Sequence, residues 1–297
     1  MMRRQPLLDC VLTLLKHAGV TQGTLAHKES GTHLLVRQTI TGQDASVYRP
    51  LMCAVLQGAK EVGTITRKLT VRAGQSLIVS HAMPIVSRIT EATPEHPYVA
   101  LVFPLDLDVM RTLAPSAPPS SIDGAMDPFS LCLSDTDDTM QDALLRYFHQ
   151  CESDDARRLL APITVREVHA RLLMGHHAGM LQRLLWHETK ASRISSATRQ
   201  IQSDLAKSLV VAELARHAGM SSSAFFVQFK AITGTSPLQY QKELRLLRAR
   251  DELRMTGLKV SDIAFAVGYG NPAQFSREYT RKFGRSPRED RVPDPVN

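Results

Sequence analysis

The chain has 297 residues, 43% hydrophobic and 22% charged, a globular composition that excludes a disordered, collagen-like or coiled-coil protein. This length predicts about one to two packed domains. The net charge of +7 is uneven: from Ile194 onward 16 Lys and Arg face 10 Asp and Glu, whereas the preceding residues carry 20 against 19. A basic C-terminal part predicts a polyanionic partner.

Met1-Met2-Arg3-Arg4 could open a signal peptide, but Asp9 and Lys16 interrupt the apolar stretch and no small-residue cleavage site follows. Leu8, Val11, Leu12 and Leu15 instead recur at the spacing of an amphipathic helix. No segment has the apolar length to span a bilayer. Cys10, Cys53, Cys132 and Cys151 are scattered, without zinc-site spacing, and read as thiols of a reducing compartment; a cytoplasmic location is expected. Residues 24–110 favour short strands: a run opening at His33-Leu34-Leu35, another over Met52–Leu56, alternation from Gly63 to Val71, Ser76–Ser80 after a turn, and Tyr98–Phe103. An antiparallel sandwich or barrel is predicted. Residues 113–138 accumulate Pro, Ser and Asp and read as a long connection.

Helical periodicity follows. Met140, Leu144, Phe148 and Cys151 form a stripe that serves either a dimer or packing onto the chain's own β domain. Pro162 sits near the start of a helical pattern over Ile163–Met174, and another covers Met180–Trp186. The polar residues 187–196 read as a linker, which gives an N-terminal domain over 1–186 and a C-terminal domain over 197–297.

The C-terminal domain contains an internal repeat. Val211-Ala212-Glu213-Leu214-Ala215…Ala218-Gly219 matches Val260-Ser261-Asp262-Ile263-Ala264…Val267-Gly268 at an offset of 49. Phe225…Phe229…Gly234-Thr235-Ser236-Pro237 matches Phe275…Tyr279…Gly284-Arg285-Ser286-Pro287 at an offset of 50. Each copy reads as a short amphipathic helix, a glycine turn, a capping residue (Ser221 or Asn271) and a second helix. The second helices bury Phe225, Phe229 and Ile232, or Phe275, Tyr279 and Phe283. They leave Ser222, Ser223, Phe226 and Lys230 to solvent in the first copy, and Gln274, Arg277 and Arg281 in the second. Between the copies Pro237 opens one long helix, with Lys242, Arg245 and Arg248 projecting away from its apolar side. Two such helices about one DNA turn apart could enter successive major grooves. Ser222, Ser223, Phe226, Lys230, Asn271, Gln274, Arg277 and Arg281 are the expected DNA-contacting residues.

At these residues the chain resembles the AraC/XylS family of bacterial transcription regulators. The likeness is carried by Leu214-Ala215…Ala218-Gly219-Met220-Ser221, Phe229-Lys230, Gly234-Thr235-Ser236-Pro237, Arg245-Leu246…Ala249-Arg250 and Ile263-Ala264…Val267-Gly268-Tyr269, and by Gln274-Phe275-Ser276-Arg277-Glu278-Tyr279…Phe283-Gly284-Arg285-Ser286-Pro287. The N-terminal half is similar to the AraC-type N-terminal domain at Tyr48-Arg49-Pro50…Cys53…Gln57-Gly58, Ala73-Gly74…Leu77…Ser80, Pro97-Tyr98 and Arg171-Leu172-Leu173. The resemblance implies an α+β chain: a small cupin-like β-barrel with flanking helices, then an all-α double helix–turn–helix domain. It also implies promoter DNA and RNA polymerase as partners, usually with activation, and an N-terminal domain that senses an effector or dimerises. The chain departs from the family at Phe226-Val227, where a polar or basic pair is common.

An effector pocket is expected among the strands bearing Tyr48, Met52, Cys53, Gln57, His81, Met83, Arg88 and Tyr98, which mix apolar and polar groups. Cys53 reads as an inert core thiol or, with Arg49 or His81 close by, as a reactive one. His81 lacks a His-x-His partner, and His176-His177 and His187 lack helical metal spacing, so neither metal nor cofactor is expected. Gly268-Tyr269-Gly270 is not a nucleotide loop, and neither G-x-S-x-G nor H-E-x-x-H occurs. A cupin-type enzyme fused to a DNA-binding domain and an effector-independent architectural protein are the competing readings. The missing metal cluster speaks against the first and the whole β domain against the second.

Overall fold

The computed structural model describes residues 6–27, 31–64, 67–118, 131–185 and 189–291. The chain divides into two compact units, Met1–Asp44 with Tyr48–Arg193 and Ile194–Asn297 with Ala45–Val47. The signal-peptide-like start at Met1–Arg4 lies outside the described residues.

The N-terminal unit opens with helix α1 (Pro6–His17), which buries Leu7, Val11 and Leu15 and half-buries Leu8 and Leu12 against the same core. Ten strands follow among the described residues: β1 (Gly23–His27), β2 (Thr32–Arg37), β3 (Asp44–Tyr48, of which Ala45–Val47 group with the other unit), β4 (Leu51–Gln57), β5 (Ala59–Gly63), β6 (Lys68–Arg72), β7 (Gln75–Val79), β8 (Met83–Glu91), β9 (Tyr98–Pro104) and β10 (Leu131–Asp135). They form a six-stranded sheet, β1-β2-β9-β4-β7-β10, and a four-stranded sheet, β3-β8-β5-β6. The expected barrel is thus two open sheets among the described residues. The alternation from Gly63 to Val71 is not one strand but crosses a hairpin, in which Gly63 pairs with Lys68 and Ala59 with Arg72. The stretch read as a connection contains β10, whose Leu131–Asp135 pairs with β7 from Val79 back to Gln75.

Helices α2 (Leu107–Leu113), α3 (Asp138–Cys151), α5 (Ala161–Met174) and α6 (Ala178–Leu185) cover one face of the larger sheet, and the short α4 (Asp154–Leu159), which buries no residue, joins α3 to α5. Asp106 caps α2 by accepting from the Asp108 and Val109 N–H groups, and Asp137 caps α3 by accepting from that of Met140. Met140, Leu144 and Phe148 pack with Met52, Ile78, Leu101 and Phe103 of the sheet, so the α3 stripe covers its own domain. Successive strand residues point to opposite faces. Cys53, Val55, Leu77, Val79, Tyr98 and Ala100 accordingly form a second buried layer.

The C-terminal unit comprises α7 (Lys190–Ser203), α8 (Val211–His217), α9 (Ser222–Thr233), α10 (Pro237–Met255), α11 (Val260–Ala266) and α12 (Pro272–Phe283). The polar stretch 187–196, expected as a linker, is helical from Lys190, and the units divide within α7 at Ile194. Ile194, Ala197 and Ile201 give that helix a narrow buried stripe within an otherwise polar sequence. Leu246, Ala249 and Leu253 of α10 pack with Ile263, Ala264, Val267, Phe275 and Tyr279 to form the core of the second repeat.

Candidate nucleic-acid interface

The two repeats are built by the same local devices. After α8 the Met220 N–H donates to the Ala215 carbonyl, and after α11 the Tyr269 N–H donates to that of Ala264, both at 2.9 Å. The intervening Gly219 and Gly268 hold positive φ, 62° and 93°. At Gly268 the constraint is double, because a Cβ would stand 2.4 Å from the Ala206 carbonyl oxygen. Ser221 Oγ then accepts from the Ala224 N–H at 3.3 Å, and Asn271 Oδ1 accepts from those of Ala273 and Gln274 at 2.8 and 3.3 Å. Both second helices end at a left-handed glycine, Gly234 or Gly284.

The second helices are buried on one side only. Phe225, Phe229 and Ile232 anchor α9, and Phe275 and Tyr279 anchor α12 with Phe283 half-buried. Ser222, Ser223, Phe226 and Lys230 lie exposed on α9, as do Asn271, Gln274, Arg277 and Arg281 at the start and outer side of α12. The Asn271 carbonyl is engaged as the cap, and Gln274 Nε2 donates to Glu278 Oε1 at 3.3 Å. Lys230, Arg277 and Arg281 have no intramolecular ion pair among the described residues.

Other charges serve the fold. Arg245, which projects away from the apolar side of α10, donates to the carbonyls of Leu205, Lys207, Gly268 and Ala206 at 2.8, 2.8, 3.0 and 3.2 Å. It ties the turn after α7 to the turn of the second repeat. Lys242 pairs with Glu278 at 3.0 Å and Arg248 with Glu252 at 2.6 Å. Asp290 is buried and accepts from Arg250 at 3.0 Å, Arg254 at 2.9 Å and the Tyr279 hydroxyl at 2.8 Å. Burial works against its ionisation, yet Arg254, Tyr279 and Arg250 hold its carboxyl below the ordinary value. Part of the positive surplus is therefore structural, which a charge count cannot reveal.

The residues expected to line an effector pocket do not all converge. Cys53, Tyr48 and Tyr98 gather around Lys60, a residue that no sequence pattern marks. Lys60 is 6% exposed; its Nζ donates to Cys53 Sγ at 3.1 Å and lies 5.5 Å from the centre of the Tyr48 ring. Burial opposes its charge, but Cys53, Tyr48 and Tyr98 hold the ammonium well above the ordinary lysine value. Burial pushes the Tyr98 hydroxyl up, and that oxygen has no hydrogen-bond partner among the described residues. Arg49, expected beside Cys53, is exposed.

His81 and Met83 are buried, with His81 Nδ1 3.4 Å from Ser80 Oγ and its Nε2 unpartnered among the described residues. Desolvation lowers His81 to about 4. Gln57 is half-buried and donates to the Pro97 carbonyl at 2.8 Å. Met52 belongs to the helix-side core, facing away from its neighbour Cys53, and Arg88 is exposed and paired with Glu61 at 2.8 Å. Lys60 shares a strand face with Val62 in β5, and Ala59–Val62 carries no alternation that marks a lysine as buried.

No cluster of three or more His, Cys, Asp or Glu able to hold a metal occurs among the described residues. Nor is any helix there long and apolar enough to cross a membrane.

Two matched helix–turn–helix pairs following a two-sheet unit define a two-domain protein of the helix–turn–helix regulator class. The profile of the AraC-type transcriptional regulator N-terminus matches residues 30–180, and that of a helix–turn–helix domain matches residues 214–292. The chain belongs to the AraC-type transcriptional regulators. It is similar to the HTH-type transcriptional activator RhaS of Klebsiella pneumoniae, 32% identical over 34% of this chain and 36% of that one. RhaS of Escherichia coli is 30% identical over 48% of this chain and 51% of its own length. The chain thus spans about a third to a half of these relatives. A crystal structure of ToxT from Vibrio cholerae has the same fold, with a TM-score of 0.54 and 11% identity over 89% of this chain and 98% of ToxT.

Proposed function

We propose that the chain is a promoter-binding transcription activator, not an enzyme, whose N-terminal unit responds to a small-molecule effector. The observation that carries the DNA-binding part is the pair of recognition helices. Each is anchored by aromatic residues on one side and offers exposed Ser222, Ser223 and Lys230, or Gln274, Arg277 and Arg281, on the other. Residues near a recognition-helix start read base edges, while Lys and Arg neutralise phosphates. The 19 residues of α10 span about 28 Å at ~1.5 Å per residue, comparable with one DNA turn.

Activation, RNA polymerase as partner, a homodimer and a cytoplasmic location belong to the same proposal and are supported by the family membership. The effector reading is supported by the buried Tyr98 hydroxyl and His81 Nε2, unpartnered among the described residues, since enclosed polar atoms of this kind are normally satisfied by a partner.

The test is a titration of the full chain against duplexes enriched from a random pool, at several salt concentrations. Binding should weaken steeply with salt, and the footprint should cover two major-groove segments about 10 bp apart. Equal affinity for enriched and scrambled duplexes would refute the reading.

A further inference from the structure

The repeat places the exposed residues of the two recognition helices in register, and their chemistry differs. At the offset of 50, Gln274 corresponds to Ala224, Ser276 to Phe226 and Arg277 to Val227. Ala224 is exposed, Phe226 is 46% exposed and Val227 is 61% exposed. None of the three is needed inside, because Phe225, Phe229 and Ile232 fill the buried side of α9. Ser223, Phe226, Val227 and Lys230 stand at i, i+3, i+4 and i+7, so the apolar pair lies on one outer face between a hydroxyl and an ammonium.

An exposed apolar patch with a polar rim marks a contact surface. In a major groove the apolar feature is the C5-methyl of thymine, whereas guanine and adenine present hydrogen-bonding edges that suit Arg and Gln. We infer that the first recognition helix reads thymine methyl groups through Val227 and Ala224, with Phe226 beside them, while the second reads purine edges through Gln274 and Arg277. The inference rests on the proposed DNA binding and adds the base chemistry that each copy recognises. Ser223 and Lys230, flanking the apolar pair, suit the phosphates on either side.

The experiment uses the full chain and an enriched duplex. Footprints of the parent and Arg277→Ala first assign the half-sites: the one weakened in the variant belongs to the second copy. Weakening of neither half-site would overturn the assignment of hydrogen-bond readout to Arg277. Each thymine of the other half-site is then replaced singly by deoxyuridine, which lacks only the C5-methyl, and affinity is titrated at fixed salt. At least one position should lose about fourfold, the equivalent of ~0.8 kcal/mol for one methyl-sized group at ~1.4 kcal/mol per tenfold. In Val227→Ser the replacement at the position Val227 reads should cost nothing, whereas one read by Ala224 should keep its cost. Specific binding by the parent that is indifferent to every methyl in that half-site overturns the inference and leaves the proposed function standing; Phe226 and Val227 then face a protein. Absence of specific binding overturns both.

Discussion

In the C-terminal unit Arg245, Arg250, Arg254 and Asp290 join helix ends and turns, while Arg277, Arg281 and Lys230 stand at the surface; in the N-terminal unit Lys60, His81, His169, His177 and Tyr98 are enclosed. His169 is fully accommodated as a neutral ring, with Nδ1 at 2.7 Å from the Val165 carbonyl and Nε2 accepting from the Asp106 N–H at 2.9 Å. His177 keeps only one such contact, Nε2 to Ser134 Oγ at 2.7 Å, and its Nδ1 is unpartnered among the described residues. The contrast separates two kinds of ionisable group. Those tied to counter-ions and carbonyls hold a rigid reading head, whereas those buried without a full set of partners make a unit whose stability depends on their protonation.

The largest effect expected from this contrast is acid sensitivity confined to the N-terminal unit. Burial lowers both His81 and His177 from 6.5 to about 4, with His176 adding to the shift of His177. In each case the folded value lies below the unfolded one. Their stabilisation is therefore complete above 6.5 and is lost as the pH falls toward 4, by about 3 kcal/mol for each histidine. Hydrogen exchange measured near pH 7 and near pH 4.5 should show the loss in the N-terminal unit, reduced in His81→Leu. Equal loss of protection in both units would dissolve the contrast.

Asp290→Ala should act on the other unit. It leaves Arg250, Arg254 and the Tyr279 hydroxyl without their shared carboxylate and should destabilise the C-terminal unit by about 3 kcal/mol in denaturant titrations. A cost below about 0.5 kcal/mol would mean that this network is not structural. Arg277→Ala should do the reverse: an unchanged unfolding midpoint with DNA affinity weaker by about 1–3 kcal/mol. Equal affinity of variant and parent at fixed salt would remove Arg277 from the interface.

The smallest stability effect is expected at Lys60. Methionine can follow the same path, and the partner Cys53 behaves as a small apolar residue once the amine is gone. Lys60→Met should therefore remain within about 1 kcal/mol of the parent in stability. A loss of several kcal/mol would mean that the contacts of the ammonium with Cys53 and Tyr48 hold the fold.

The sequence by itself determined the double helix–turn–helix. Its periodicity, turn glycines and the caps Ser221 and Asn271 act between residues within a few positions of each other, and the repeat doubled the signal. It also placed the exposed sides of α9 and α12, because a helix that buries Phe225, Phe229 and Ile232 must turn Phe226 and Lys230 outward. Only the tertiary structure decided what depends on distant pairing. A shift of one residue in strand register exchanges the two faces, so Met52 and Cys53 could not be assigned to opposite cores before β4 had its neighbours. The hairpin of β5 and β6, the edge strand β10 and the polar helix α7 share this cause, since each is stabilised by partners far along the chain. Lys60 is the sharpest case. Nothing in Ala59-Lys60-Glu61 marks it as buried until the second sheet brings its ammonium to the Cys53 sulfur and the Tyr48 ring.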